Sequence, residues 1–335
     1  SGGIDREIAP VLPSAPPLGG LHHLTAISAD GDRNLHFYTE VLGLRLVKRT
    51  VNQDDVSAWH LFYADAVGSP GTDITFFLWA LPRERRGNHA IGLTGFPVAR
   101  EADLAWWEER LRGFGIAVRR TREPGGAPGL RFEDPEGQRL SLEVGRGAGL
   151  AIPWTGSPVP PERQLRGRGP VVIDLPRAEP TARFLEERLG FRPLGEGSDP
   201  DEPGTTVLRM GLGAGGTAGE VRLRIRAGLE PARPGAGGVH HVAFRVPDRA
   251  GLAAWAARLD AARVRHSGEI ERTWFRSLYL REPGGVLLEL ATDGPGFAVD
   301  EPVERLGERL VLPPFLEPRR AAIEAGLPPL RSPRR

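Results

Sequence analysis

The chain has no cysteine. That absence excludes disulfides, thiolate nucleophiles, iron–sulfur clusters and zinc fingers together, so any metal must be held by His, Asp or Glu. An excess of charge is also missing. Lys+Arg 44 against Asp+Glu 43 leave a formal net charge of +1, which gives no global electrostatic reason to bind nucleic acid or an anionic membrane. Lysine is nearly absent, Lys48 being the only one, and the arginines are scattered as nucleotide bias in a GC-rich genome would leave them. No apolar run approaches the roughly 18 residues of a membrane span, and the opening residues lack the apolar core of a signal peptide. A cytoplasmic location is the expectation.

What is present is an ordinary globular composition, 40% hydrophobic and 26% charged over 335 residues, long enough for two domains or one large one. Four stretches repeat one order of elements: an apolar strand, an amphipathic helix, a turn with Gly, then further strands. The first runs from Leu21 to Ala80 (LHHLTAIS, helix RNLHFYTEVLGL, then RLVKRTV, AWHLFYAD and DITFFLW) and the second from His89 to Val144 (HAIGLTGF, helix DLAWWEERLRGFG, then IAVRR, LRFEDP and QRLSLEV). The third runs from Pro170 to Arg226 (VVIDL, helix TARFLEERLGF, then TVLRMG and VRLRIR) and the fourth from Val239 to Thr292 (HHVAFRV, helix AGLAAWAARLDAA, then VRHSGEI, FRSLYLRE and VLLELAT). The expected organisation is a flexible arm over 1–18, modules one and two over 19–145, a Gly/Pro/Arg-rich linker over 146–168, modules three and four over 169–293, and a tail with short helices over 294–335.

Aligned at the first strand, the copies carry His22-His23, His89, Pro170-Val171 and His240-His241. At the last strand copy four has Glu289 where copy two has Ser141. One complete inner set results: His23, His241 and Glu289. Two histidines and a carboxylate on one face of a metal are the pattern of non-haem Fe(II) enzymes that activate dioxygen. Adjacent strand residues point to opposite faces, so one histidine of each pair binds while the other either faces away or stands near enough to act as acid or base. Glu289 lies inside an apolar strand, costly unless paired or coordinated. The lone histidines His36, His60, His89 and His266 read as packing or hydrogen-bonding residues, Trp106-Trp107 as helix core, and the terminal PLRSPRR as a solvated tail. Trp274 and Phe275 suit either an aromatic substrate or core packing.

The order of the four modules resembles the vicinal oxygen chelate superfamily, which includes glyoxalase I, bleomycin-resistance proteins and extradiol dioxygenases. Within it, LHHLTAIS, NLHFYTEVLGLRLVKRTVNQDD, HLFYAD, GSPGTDITFF, GVHHVAFRV, RTWFRSLYLREPGGVLLELATD and GFAVDE are similar to the ring-cleaving hydroquinone dioxygenases. The resemblance implies an α+β fold of four βαβββ modules forming two cup-shaped half-barrel sheets with helices outside. It implies Fe(II), with Mn(II) an open substitute, on His23, His241 and Glu289. It further implies catalytic or substrate-contacting roles for His22, Thr25, His240, Arg272 and Tyr279. Copies one and four must then face each other across the site, leaving copies two and three to form a metal-free cup.

The activity implied is insertion of O2 into the ring of a hydroquinone-type para-diol. Tyr279, His22 or His240 would handle the hydroxyl proton, and Arg272 would favour the oxyanion. Alternatives are an extradiol catechol dioxygenase, a glyoxalase-like lyase or isomerase with a redox-inert metal, and a bleomycin-resistance-type binding protein. The lyase form usually has four ligands against three here, and the binding protein needs no metal set. The partners expected are a small aromatic diol and O2, with no nucleic acid and no membrane. A homo-oligomer is left open.

Overall fold

The computed structural model describes residues 11–147 and 151–331. Module one comprises β1 (Leu21–Ser28), α1 (Gly31–His36) continuing as a π-helical turn over Phe37–Val41, β2 (Arg45–Asn52), β3 (Asp55–Ala64) and β4 (Asp73–Leu78). Module two comprises β5 (Ala90–Val98), α2 (Glu101–Gly113), β6 (Val118–Arg122), β7 (Pro128–Glu133) and β8 (Arg139–Val144). Module three comprises β9 (Val171–Leu175), α3 (Glu179–Leu189), β10 (Arg192–Ser198), β11 (Thr206–Gly211) and β12 (Glu220–Ile225). Module four comprises β13 (Val239–Val246), α4 (Arg249–Ala261), β14 (Ile270–Glu271), β15 (Arg276–Arg281) and β16 (Leu287–Thr292), and α5 (Arg320–Gly326) follows in the tail. Local chemistry sets the helix ends. Asp30 and Asp248 cap α1 and α4 by accepting from backbone N–H groups three residues on, and Gly190 closes α3 at φ 78, a left-handed value that a side chain resists.

The modules pair out of chain order. One eight-stranded sheet runs β14-β15-β16-β13-β1-β4-β3-β2, joining modules one and four, and the other runs β10-β11-β12-β9-β5-β8-β7-β6, joining modules two and three. The two curled sheets have their helices outside, as the modular repeat implies. In the first sheet β1 and β13 are antiparallel neighbours, flanked by β4 and β16 as their parallel partners, so an approximate twofold axis passes between them. A continuous core of buried apolar side chains, including Phe96, Trp107, Leu185 and Phe244, spans both sheets and the helices over them.

Several elements differ from expectation. The polar, Gly-containing edge strand β10 (RPLGEGS) carries no apolar alternation and was not anticipated, whereas VRHSGEI yields only the two-residue β14. The arm is held from residue 13 onward: the Pro13 carbonyl accepts from Arg258, the Pro16 carbonyl from Trp255 Nε1 at 2.9 Å, and Leu18 is buried. Residues 1–10 of that arm lie outside the described residues, as do 332–335 of the tail. The start of PLRSPRR packs rather than floats, with Leu330 against the core and the Arg331 N–H donating to Asp32. Lys48 is fully buried. Its Nζ donates to Asp300 at 2.7 Å, Glu301 at 2.6 Å and the Phe297 carbonyl at 3.1 Å, fastening the tail over the first sheet.

Candidate metal centre

The two His-His pairs sit on matched β-bulges. Leu21 pairs with Phe244 and His23 with Ala243, leaving His22 as an extra residue; Thr25 pairs with His241 and Ala26 with Val239, leaving His240 as another. A bulge breaks the strict alternation of faces and re-aims a side chain. Consecutive rings therefore meet. His22 Nδ1 lies 2.7 Å from His23 Nδ1, and His240 Nδ1 lies 2.8 Å from His241 Nδ1. Burial first, then the adjacent histidine, holds His22 and His240 down to about 3, so both rings are neutral near pH 7. His22 Nε2 is 3.0 Å from the Thr292 carbonyl and must donate to it. His22 Nδ1 is then an acceptor, His23 Nδ1 carries the proton, and His23 Nε2 presents its lone pair.

That lone pair points at Glu289. His23 Nε2 and His241 Nε2 lie 3.0 and 2.8 Å from Glu289 Oε2, and all three residues are buried. Close as they are, His241 Nε2 and Glu289 Oε2 are not aligned as donor and acceptor and have no hydrogen-bond partner. Two donor atoms bound at right angles to one ion at about 2.1 Å stand about 3 Å apart, so this spacing suits ligands converging on a common point. Burial alone would raise the Glu289 carboxyl, but His23 and then His241, when protonated, outweigh it and hold the group well below its ordinary range. Ser277 Oγ donates to the other oxygen, Oε1. Among the described residues this is the one cluster of His, Asp or Glu side chains able to grip a metal.

A cavity of about 40 Å³ adjoins the cluster, lined by His23, His241, Thr25, His60, Arg272 and Tyr279, with aromatic walls that include Phe62, Trp274 and Phe275. Arg272 Nε donates to Tyr279 Oη at 3.3 Å, and its guanidinium lies over the Tyr279 ring. Burial, then the Glu289 charge, pushes the Tyr279 phenol upward, so it stays protonated. Trp274 and Phe275 are both buried and cavity-facing; Phe275 packs on the rings of His22 and His23, and Trp274 Nε1 donates to Asp300 at 2.9 Å. His22 and His240 are not among the cavity-lining residues and meet the inner histidines ring to ring. The turn between β2 and β3 closes the mouth: Gln53 Nε2 donates to the Arg272 carbonyl at 3.0 Å, and Arg272 Nη2 donates to Asp54 at 3.2 Å. The cavity is small beside an aromatic ring, and this turn is the element that lies across its mouth.

His60 packs and hydrogen-bonds as its sequence context suggests, against Phe62 and Phe77 and with Thr75, and it is in addition a wall of the cavity. Its only sequence signal was a polar ring inside the apolar AWHLFYAD.

The second sheet shows why its cup lacks such a centre. His89 is not the counterpart of His23, for it precedes β5; Ser141, aligned with Glu289, pairs with Gly95 as Glu289 pairs with Ala243, which puts Leu93 at the place of His23 and makes Gly92 the counterpart of the bulged His22. A Cβ on Gly92 would come within 1.9 Å of Asp174 Oδ2, because the Asp174–Arg224 ion pair fills that space. Arg131 and Arg222 likewise pair with Glu123 and Glu143. A cavity of about 800 Å³ opens beside these ion pairs and contains none of His23, His241 or Glu289, so volume here does not mark the chemistry.

The model of the Glyoxalase/Bleomycin resistance protein/Dioxygenase superfamily matches residues 20–142 and 170–290. The chain is 43% identical over 320 residues, covering 94% of it and 99% of the relative, to the "Putative ring-cleaving dioxygenase MhqA" of Bacillus subtilis strain 168. It is 32% identical over 310 residues, covering 89% of it and 92% of the relative, to the chlorohydroquinone/hydroquinone 1,2-dioxygenase of Sphingobium indicum. A solved structure of a "putative dioxygenase" from Bacillus subtilis superposes with a TM-score of 0.88 at 35% identity, covering 96% of this chain and 100% of that one. No helix among the described residues is long and apolar enough to cross a membrane. The chain belongs to the glyoxalase/bleomycin resistance protein/dioxygenase superfamily and groups within it with the proteins named as ring-cleaving dioxygenases.

Proposed function

We propose that the chain is a non-haem Fe(II) dioxygenase that opens the ring of a hydroquinone-type para-diol, with His23, His241 and Glu289 as the metal ligands and Mn(II) as the alternative ion. The observation that carries the reading is the convergence of three buried donor atoms, two without a hydrogen-bond partner, beside a cavity that presents Arg272 and Tyr279. A metal held by His23, His241 and Glu289 would orient a phenolate oxygen and dioxygen together and pass electron density from one to the other.

The protein side of the chemistry follows from the contacts. Arg272 places a fixed positive charge in the cavity and favours the deprotonated hydroxyl. Tyr279, protonated and held by Arg272, is a donor to oxygen atoms in the cavity. Thr25 Oγ1, 2.7 Å from Thr75 Oγ1, offers a second polar contact in the cavity. His22, anchored on the Thr292 carbonyl, fixes the tautomer of His23, and His240 makes the matching Nδ1 contact with His241.

A lyase reading needs a fourth protein ligand. The approximate twofold axis maps the pair Ala243–Glu289 onto Thr25–Thr75, so the fourth corner is a neutral hydroxyl already engaged by Thr25. This favours the dioxygenase. Metal-free protein reloaded anaerobically with Fe(II) should take up O2 with hydroquinone, and Zn(II)-loaded protein should not. Uptake with catechol alone would move the assignment to extradiol cleavage, and no uptake with any diol despite bound Fe(II) would move it to a lyase. Glu289→Ala should lose metal and activity together; a full equivalent of retained metal overturns the ligand set.

A further inference from the structure

The same twofold relation singles out His60. The pair Tyr279–Glu289 between β15 and β16 maps onto Phe62–Thr75 between β3 and β4, and two residues earlier Ser277 maps onto His60. The two residues do the same local job. Ser277 Oγ pins Glu289, and His60 Nε2, 2.9 Å from Thr75 Oγ1, pins Thr75. A hydroxyl suffices in module four, whereas module one uses an imidazole, which has a second nitrogen to spare.

That nitrogen belongs to the cavity. His60 lines it, is part-exposed there, and is clasped between Phe62 and Phe77 with ring centroids at 4.1 and 4.5 Å. With Nε2 committed to Thr75, Nδ1 makes no hydrogen bond to the described residues. Burial, reinforced by His23 and His241, keeps the ring neutral. The cavity therefore has two unlike polar walls. Arg272 and Tyr279 suit an oxyanion, while neutral His60, backed by Thr75 and Thr25, suits a neutral hydroxyl.

We propose that His60 is a substrate-contacting residue whose Nδ1 accepts a hydrogen bond from the hydroxyl of the aromatic diol that is not bound at the triad. The inference rests on the para-diol reading above and extends it to specificity. A para-diol places one oxygen at the triad and a neutral hydroxyl across the ring, where His60 receives it. An ortho-diol brings both oxygens to the triad and leaves His60 without a partner. In the bound state His60 Nε2–H donates to Thr75 Oγ1, and the Thr75 hydroxyl donates to Thr25 Oγ1, so both donors behind Nδ1 have acceptors.

Two substitutions separate this contact from the pinning of Thr75. His60→Asn keeps a polar atom near the Nδ1 position and gives up the reach to Thr75; His60→Gln keeps an atom near the Nε2 position and offers nothing at Nδ1. Hydroquinone and phenol are titrated anaerobically into Zn(II)-loaded protein, and the ratio of their dissociation constants is compared across wild type and both variants at matched metal content. The wild type should prefer hydroquinone by about tenfold, the size expected for one neutral hydrogen bond. His60→Asn should keep most of that preference and His60→Gln should abolish it. An unchanged ratio in His60→Gln, or its loss in His60→Asn alone, overturns the contact. Hydroquinone that binds wild type with no preference over phenol also overturns it while leaving the para-diol reading standing. Wild type that binds no hydroquinone, and takes up no O2 with it when loaded with Fe(II), removes the function and this inference together.

Discussion

His22 and His23 meet Nδ1 to Nδ1 at 2.7 Å although they are neighbours in a strand, and the Thr292 carbonyl behind His22 decides which of them carries the proton. The lone pair that His23 Nε2 turns toward Glu289 is thus set from behind, through His22 and the Thr292 carbonyl. Removing an outer-shell partner of this kind typically costs 10–100-fold in metal affinity or activity. His22→Ala should weaken metal binding by about that factor without removing a ligand, read by competition with a metal-chelating dye. An affinity equal to wild type would show that the His23 ring is fixed by Phe275 packing instead.

The extent to which this centre was legible in sequence follows from its construction. The inner set His23, His241 and Glu289 could be found because a repeat makes position meaningful: the same dipeptide recurs at the same strand, and a carboxylate interrupts one apolar strand. The bulges at His22 and His240 could not, since a period of two assigns consecutive residues to opposite faces and the extra residue is visible only in the pairing register. His60 was hidden for a related reason. Its significance lies in its twofold relation to Ser277, and the two share no residue type. The fold class was carried by helix and strand periodicity, which fails at β10, where an exposed edge needs no apolar face.

Asp54 and Arg272 form the ion pair that helps shut the mouth of the cavity, and Asp54 is largely exposed. Exposed pairs are worth at most about 1 kcal/mol. Asp54→Ala should therefore raise the association rate of a diol by no more than about fivefold, measured by stopped-flow fluorescence on Zn(II)-loaded protein, with the bound metal unchanged. A decrease would mean that Asp54 positions Arg272 rather than restrains the turn.

Lys48 is the only lysine and is fully buried between Asp300 and Glu301. An amine-acylating reagent should leave its Nζ untouched in the folded protein and modify it after denaturation, a difference visible by peptide mass spectrometry. Lys48→Met strands the buried Glu301 carboxylate and should destabilise by about 3 kcal/mol, since breaking a buried pair leaves uncompensated charge. It should also raise protease sensitivity of the tail, because the Phe297–Glu301 segment loses its anchor.

Glu84 gives the fold a pH dependence of known sign. Burial raises its carboxyl from 4.5 to about 7, only partly offset by Arg139 and Arg86. The native state holds that proton over a range in which the unfolded chain has released it, so stability is highest below about 4.5 and falls as pH rises to about 7 for this group. Over that window the loss is on the order of 2–3 kcal/mol. Glu84→Gln keeps the shape without the titration, so its urea midpoint relative to wild type should improve between pH 5 and pH 8. A constant difference at both pH values would assign the slope to other groups.

Tyr279 is the strongest candidate for a substitution that spares the metal and stops the reaction. It sits opposite Glu289 in the sheet register, its ring packs edge-on against His241 at 5.7 Å, and its hydroxyl is 3.3 Å from Arg272 Nε. Tyr279→Phe keeps the ring and removes only the donor, so metal content should stay at wild-type level. Loss of a positioned proton donor costs typically 10²–10⁴-fold, and Arg272 remains to hold part of the charge, so kcat with hydroquinone should fall by about 10²-fold with little change in KM. Because burial and the Glu289 charge push the phenol upward, its deprotonation produces no loss of activity below about pH 10. Any basic limb seen between pH 7 and 9 must come from the substrate, and should move when the ring carries an electron-withdrawing substituent. If the limb instead vanishes in Tyr279→Phe, the phenol titrates in that range, and its role is that of a base rather than a donor.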